Sequence, residues 1–302
     1  IWYAWQPELW FKQLMLTWTP EGRLSTIQGG IDILRWQAQK IVPGVDLRDI
    51  TFDYSPQTGR LAVIPTGGSQ LQWQWENHAP IQLSATPFVL SLDPQQPFSR
   101  WNLPLWQMTI GDVALQLQAH IDKQTQFSAQ LSAPNIASIM PLLPMHQFSP
   151  ELQTWLNQAL VHGEHITLDT HYHGDITDLL AGTWTEDQLQ LTAHIQDTTL
   201  KFSPHYPALS DSDITLRLMH NGLTISTNQA RLGDVNVKQV QADILFLPEK
   251  EVALRINGDY QSSLAQAKKF LLTTPIAHLA NIEDMLTNTQ LDGQAEGSIS
   301  LC

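Results

Sequence analysis

The chain has 302 residues, of which 42% are hydrophobic and only 15% charged, and its net charge is −13 at neutral pH. That balance excludes nucleic acid as a partner, because there is no basic stripe to release phosphate counterions, and it argues against a seat on an anionic membrane surface. A single cysteine, Cys302, excludes a disulfide framework and a CxxC motif, and no apolar run approaches the ~20 residues of a transmembrane helix.

Residues 1–18 are rich in aromatics (Trp2, Tyr3, Trp5, Trp10, Phe11 and Trp18) and predict a strand over 14–19, ended by Pro20-Glu21-Gly22. Alternation then predicts strands over 24–38, 47–54, 59–64, 69–75 and 81–92. A hairpin is expected over 113–121 and 127–131, joined by Asp122-Lys123-Gln124. The Pro-rich stretches 87–104 and 141–150 read as irregular links, and 135–143 as a short helical piece ended at Pro144.

The joint of the chain is expected at 149–163. Ser149 suits an N-cap and Pro150 the first helical position. Leu152, Trp155, Leu156, Ala159 and Leu160 then fall on one helical face. Gly163 is expected to end the helix in the left-handed conformation, with His162 in the last turn. The period switches to two at Ile166, Leu168, Thr170 and Tyr172, alternating with Thr167, Asp169, His171 and His173.

Further strands are predicted over 188–195, 200–202, 213–218, 223–227, 236–247, 252–258 and 291–301. Helices are expected over 262–272 and 276–287, broken at Pro275. This divides the chain into a first sheet segment (1–134), a helical joint (135–163), a second sheet segment (164–261), a helical segment (262–288) and the start of another strand run (289–302). The start at Ile1 without an initiator Met, and the end inside an alternating run, predict an internal fragment. The hairpin-short connections predict a mainly β chain, a largely antiparallel sheet with short helical interruptions. A weak internal repeat supports this, since Asp49-Ile50-Thr51-Phe52 is echoed by Asp213-Ile214-Thr215-Leu216 and Gly111-Asp112-Val113 by Gly233-Asp234-Val235.

So many strands present more apolar face than a few helices can cover. One outcome is a sandwich core; the other is an apolar face lining a binding groove. The candidates for that lining are Leu71, Trp73, Val113, Leu115, Leu117, Leu189, Leu191, Ile195, Ile214, Leu216 and Leu218.

The pattern Pro150-x4-Trp155-Leu156-x2-Ala159-Leu160-x2-Gly163, followed by a strand ending His173-Gly174-Asp175, resembles the middle region of the YhdP family. The resemblance extends through 113–144 and 206–258. Proteins of this AsmA-like family belong to Gram-negative bacteria. The resemblance implies an elongated, twisted antiparallel β-sheet groove, part of a periplasmic bridge anchored in the inner membrane by a segment outside this chain, which passes phospholipid acyl chains between the inner and outer membranes. It names no protein partner; the residues themselves carry no nucleophile motif, Gly-rich phosphate loop or nucleotide signature, so neither enzyme activity nor a cofactor is expected.

Other chemistry is thinner. His171 and His173 share a strand face and form a weak metal candidate beside His162 and His165, but polar-face histidines serve equally well. The tryptophans, including Trp2, Trp5, Trp10, Trp73, Trp75, Trp101 and Trp106, could form a sugar platform or fill a core. Asp211/Asp213 and Glu283/Asp284 read as solvated carboxylates, not an acid/base pair. The alternatives are a carbohydrate-binding or adhesin-like β-sandwich of the cell envelope and a transmembrane β-barrel; the helices count against the barrel.

Overall fold

The computed structural model describes residues 8–37, 44–74, 80–96, 100–142, 153, 157–181, 183–219, 222–246 and 252–301. Sixteen strands form one open sheet, almost wholly in chain order: β1 (Glu8–Trp18), β2 (Leu24–Trp36), β3 (Gly44–Ser55), β4 (Arg60–Gln74), β5 (Ile81–Ala85), β6 (Phe88–Leu92), β7 (Trp101–Ile110), β8 (Val113–Ile121), β9 (Thr125–Asn135), β10 (Leu160–Gly174), β11 (Leu189–Leu200), β12 (Leu209–Met219), β13 (Gly222–Leu232), β14 (Val235–Phe246), β15 (Val252–Ser263) and β16 (Gln294–Leu301). Every pairing with a described register is antiparallel, as the short connections require. Among the described residues no helix is long and apolar enough to cross a membrane.

The chain divides into two compact units. The first holds residues 1–133, 137–148 and 168–190; the second holds 134–136, 149–167 and 191–302. In the first unit, the predicted strands 59–64 and 69–75 are one strand, β4, whose register against β3 shifts between Arg48 and Ile50. The predicted strand 81–92 runs in two pieces, β5 and β6, parted at Thr86-Pro87 and both lying between β4 and β7.

The expectation of an irregular link over 87–104 is corrected by β6 and β7. Pro104 stands inside β7, where the register against β8 shifts between Leu103 and Trp106. A residue without an N–H fits a strand interior only at such a bulge.

In the second unit the bulges align. His165 in β10, Asp197 in β11, Asp211 in β12 and Gln239 in β14 all have left-handed φ, between 45° and 51°. Register places the last three within two residues of one level across the sheet. An extra residue shifts the alternation by one, so the inward side changes from Ala193 and Ile195 to Thr198 and Leu200, and from Ile214 to Leu209. Asp and His tolerate left-handed φ better than bulkier residues. Buried hydroxyls accept the role of the interrupted ladder: Thr198 donates to the Ile195 carbonyl, Ser212 to that of Thr198, and Thr227 to that of Gln229. In the first unit exposed hydroxyls make similar bonds, Thr66 donating to the Asp49 carbonyl and Thr86 to that of Gln107; Asp49 again has positive φ.

Two tight hairpins share one geometry. Gly111-Asp112 joins Ile110 to Val113, and Gly233-Asp234 joins Leu232 to Val235. Both glycines have φ of 62°, the left-handed geometry that a first-position Gly supplies in a two-residue turn. Each aspartate holds a helical insert to its own unit. Asp112 accepts from Ser138 in α1 (Ile136–Ile139), which a 3-10 turn (Met140–Leu142) follows. Asp234 accepts from Lys269, on a later helix of the second unit.

A short helix, α2 (Ile176–Ala181), was not expected; Asp175 starts it by accepting from the Thr177 N–H and hydroxyl. The C-terminal helices are α3 (Leu264–Thr273), α4 (Pro275–Leu279) and α5 (Glu283–Thr287). Ser263 and Gln266 form a capping box on α3, and Pro275 opens α4 at the position proline favours. Phe270 of α3 packs with Tyr260, Leu160 and Phe202 over the buried cluster Ala159, Leu200, Leu209, Ala230, Val235 and Val237.

The helical joint is only partly described. Leu152, Trp155 and Leu156 lie outside the described residues, and residues 157–159 are helical. Two expectations are corrected: Leu160 is the first residue of β10, and Gly163 lies inside that strand, not at a helix end. Gly163 is there for close approach. A Cβ at this position would meet Ile195 Cγ2 at 2.6 Å and Ile136 Cδ1 at 2.7 Å.

Candidate functional site

Each unit presents one apolar and one polar sheet face, because hairpin pairing aligns residues of like kind. In the second unit, register carries an apolar row through Ala193, Leu216, Ile225, Ala242 and Ile256, and another through Leu218, Leu223 and Ile244. The rows between them are polar: Thr192, Arg217, Thr224, Asp243 and Arg255, then His194, Thr215, Ser226, Gln241 and Asn257. The polar face is tied across strands, as where Thr224 donates to Asp243 and His194 meets the Thr215 hydroxyl at 3.0 Å.

In the first unit the apolar rows run Ala85, Met108, Leu115, Leu131; Trp106, Leu117, Ala129; and Leu103, Ala119, Phe127. Phe127 stacks on Tyr172 with ring centroids 5.6 Å apart. The Tyr172 hydroxyl donates to the Asp175 carbonyl. Burial, with the nearby carboxylates of Asp178 and Asp175, raises the pKa of that phenol. The hydrogen bonds from Thr177 lower that of Asp175.

The expected lining residues fall into two groups. Val113, Leu189, Ile195 and Ile214 are buried, Val113 completely. Leu115, Leu117, Leu191, Leu216 and Leu218 are half-buried on the same strands. Leu71 and Trp73 stand in β4 opposite Leu47 and Val45 on one side and Leu83 and Ile81 on the other. The sequence reading missed Leu103, Trp106 and Met108, because Pro104 masked β7. Their hairpin partners in β8 were the signal that could have placed them.

The remaining candidates have structural places. His162 lies 3.5 Å from Asp197 and 3.7 Å from Glu164, and His165 is the β10 bulge residue. His171 and His173 are exposed on the polar face, and among the described residues no three His, Cys, Asp or Glu side chains are grouped to hold a metal ion. Trp106 packs on Phe88 at 4.6 Å and donates to the Thr86 carbonyl; Trp101 is half-buried, and Trp10 is exposed on the edge strand β1. Trp2, Trp5 and Trp75 lie outside the described residues. Asp213 accepts from the Asp197 N–H and Asp211 faces Arg231 at 3.6 Å, while Glu283 and Asp284 occupy the first turn of α5.

The family model for YhdP protein matches residues 1–302. The chain is similar to the intermembrane phospholipid transporter YhdP of Escherichia coli (strain K12), 21% identical over 274 residues, covering 89% of this chain. It spans 21% of that relative's length. No solved structure matches the chain.

Proposed function

The chain belongs to the YhdP family, and on that premise we propose that its half-buried apolar sheet faces carry phospholipid acyl chains as one segment of a periplasmic bridge between the inner and outer membranes. One observation carries the reading: each unit leaves a multi-strand apolar face half-exposed, whereas the opposite face is polar. The name of the Escherichia coli relative supports phospholipid as the cargo.

The mechanism is solvation without chemistry. An acyl chain lying along Leu115 and Leu117, or along Leu191, Leu216 and Leu218, gains ~0.8 kcal/mol for each buried CH₂. The headgroup stays in water. Sliding between equivalent rows exchanges one apolar neighbour for another, so no single position holds the lipid.

Native mass spectrometry and lipid extraction on protein purified without detergent test the reading, beside a folded Leu115→Asp/Leu191→Asp/Leu216→Asp variant. The expected result is co-purified phospholipid in the wild type and at least a tenfold loss in the variant. Equal lipid in both proteins, or none in the wild type after incubation with phospholipid vesicles, would refute it.

A further inference from the structure

We propose that the polar face of the first unit holds a binding site for a short, uncharged oligosaccharide. A cavity of about 470 Å³ opens over β7, β8, β9 and β10 and the turn into β11, within the range of small-ligand sites. Leu103 and Tyr172 border it but are only 5% and 2% exposed. They supply backbone floor, with their side chains on the apolar face. The residues on either side of them in each strand, and their register partners, therefore project into the cavity, because strand side chains alternate. These are Asn102, Gln118, His120, Gln126, His171 and His173. Register aligns Asn102, His120 and Gln126 in one row and sets Gln118 beside Ser128 in the next.

None of these six side chains bonds another protein group among the described residues, and five of them face solvent, where a ligand can exchange with water. Their surroundings differ. One row away on the same face, Gln130 donates to Asp169 at 3.0 Å. Elsewhere Gln28 donates to Asp53, Gln241 to Asp243 and Ser300 to Asn257. Over the cavity the polar row carries no such cross-strand bond.

The lining chemistry selects the ligand class. It contains neither Lys nor Arg, and Asp187 supplies a carboxylate, so a phosphate or carboxylate ligand would find no fixed positive charge. The exposed side chains around it are mainly amides and imidazoles, which suit hydroxyl groups better than an acyl chain. Amides and neutral imidazoles each present a donor and an acceptor, as a hydroxyl does. Asp187 can accept from a pair of neighbouring hydroxyls. Three interstrand spacings give a width of ~14 Å, room for several linked sugar rings.

Isothermal titration calorimetry on the full chain, with maltotriose and tri-N-acetylchitotriose as probes, tests the site. Saturable binding of at least one probe is expected, weakened tenfold or more in Gln118→Ala/His120→Ala/Gln126→Ala. A folded Leu216→Asp variant should keep it unchanged, which separates this site from the lipid-bearing face. If the triple variant does not fold, His171→Ala/His173→Ala, both exposed, gives the same reading. Absence of saturable heat with both sugars, binding indifferent to the substitutions, or tighter binding of inorganic phosphate or Zn²⁺ would overturn the proposal.

Discussion

Within the second unit, leucines on the two sides of the bulge line have the same chemistry and opposite fates, while Ile195, Ile214 and Ile225 beside the line are buried as well. Leu200, Leu209, Val235 and Val237 are buried beneath Phe270 and Tyr260; Leu191, Leu216, Leu218 and Ile244 stay half-exposed on neighbouring stretches of the same strands. Residue type does not separate a core leucine from a lining one. The helical insert does, because α3 covers one side of the line and the capping box and the Lys269–Asp234 pair fix it there. An apolar sheet face left uncovered is a surface available for binding.

The sharpest way to break this comparison is to truncate one leucine on each side. Leu209→Ala should destabilise the protein by ~2–5 kcal/mol, as a buried large-to-small change does. Leu216→Ala should lose about 1 kcal/mol or less, as partly exposed sites do. Urea unfolding followed by tryptophan fluorescence reads both; equal losses would mean that the two sides are one core. A smaller effect is expected at the bulge line, where Gly163→Val forces a side chain against Ile195 and Ile136 and should cost ~1–3 kcal/mol. If its unfolding midpoint matched the wild type, the close approach of β10 to α1 would be wrong.

The smallest effect is electrostatic. Lys269 beside Asp234 lowers the pKa of that carboxyl. Such a group contributes stability above its unfolded pKa, and the contribution disappears as pH falls through its lower, folded value. Thermal unfolding of the wild type and Lys269→Met should therefore differ near neutrality and converge at acid pH. A difference that persists there would assign the effect of Lys269 to packing.

Much of this was legible in the residues. Strict alternation placed β8, and the Pro/Gly turns placed β3, β12 and β14, since a strand with one wet face must alternate. The break at Pro275 was equally plain. The bulges were not anticipated, although they leave a trace: Leu191, Ala193 and Ile195 are followed by Thr198 and Leu200, a phase slip at Asp197. The sequence reading took that slip for the end of a strand, and likewise read Pro104 as a link and Gly163 as a helix terminator. In each case the residue's local preference is real, but a neighbouring strand overrode it.

Local sequence thus determined the class of this protein: a one-sided antiparallel sheet with short helical interruptions. Only the tertiary structure decided which apolar residues are core and which stay open, and which polar ones converge on a cavity. The reason is physical. Alternation specifies a side chain's face from its own strand, whereas coverage, bulge alignment and unused hydrogen-bonding groups depend on partners tens of residues away.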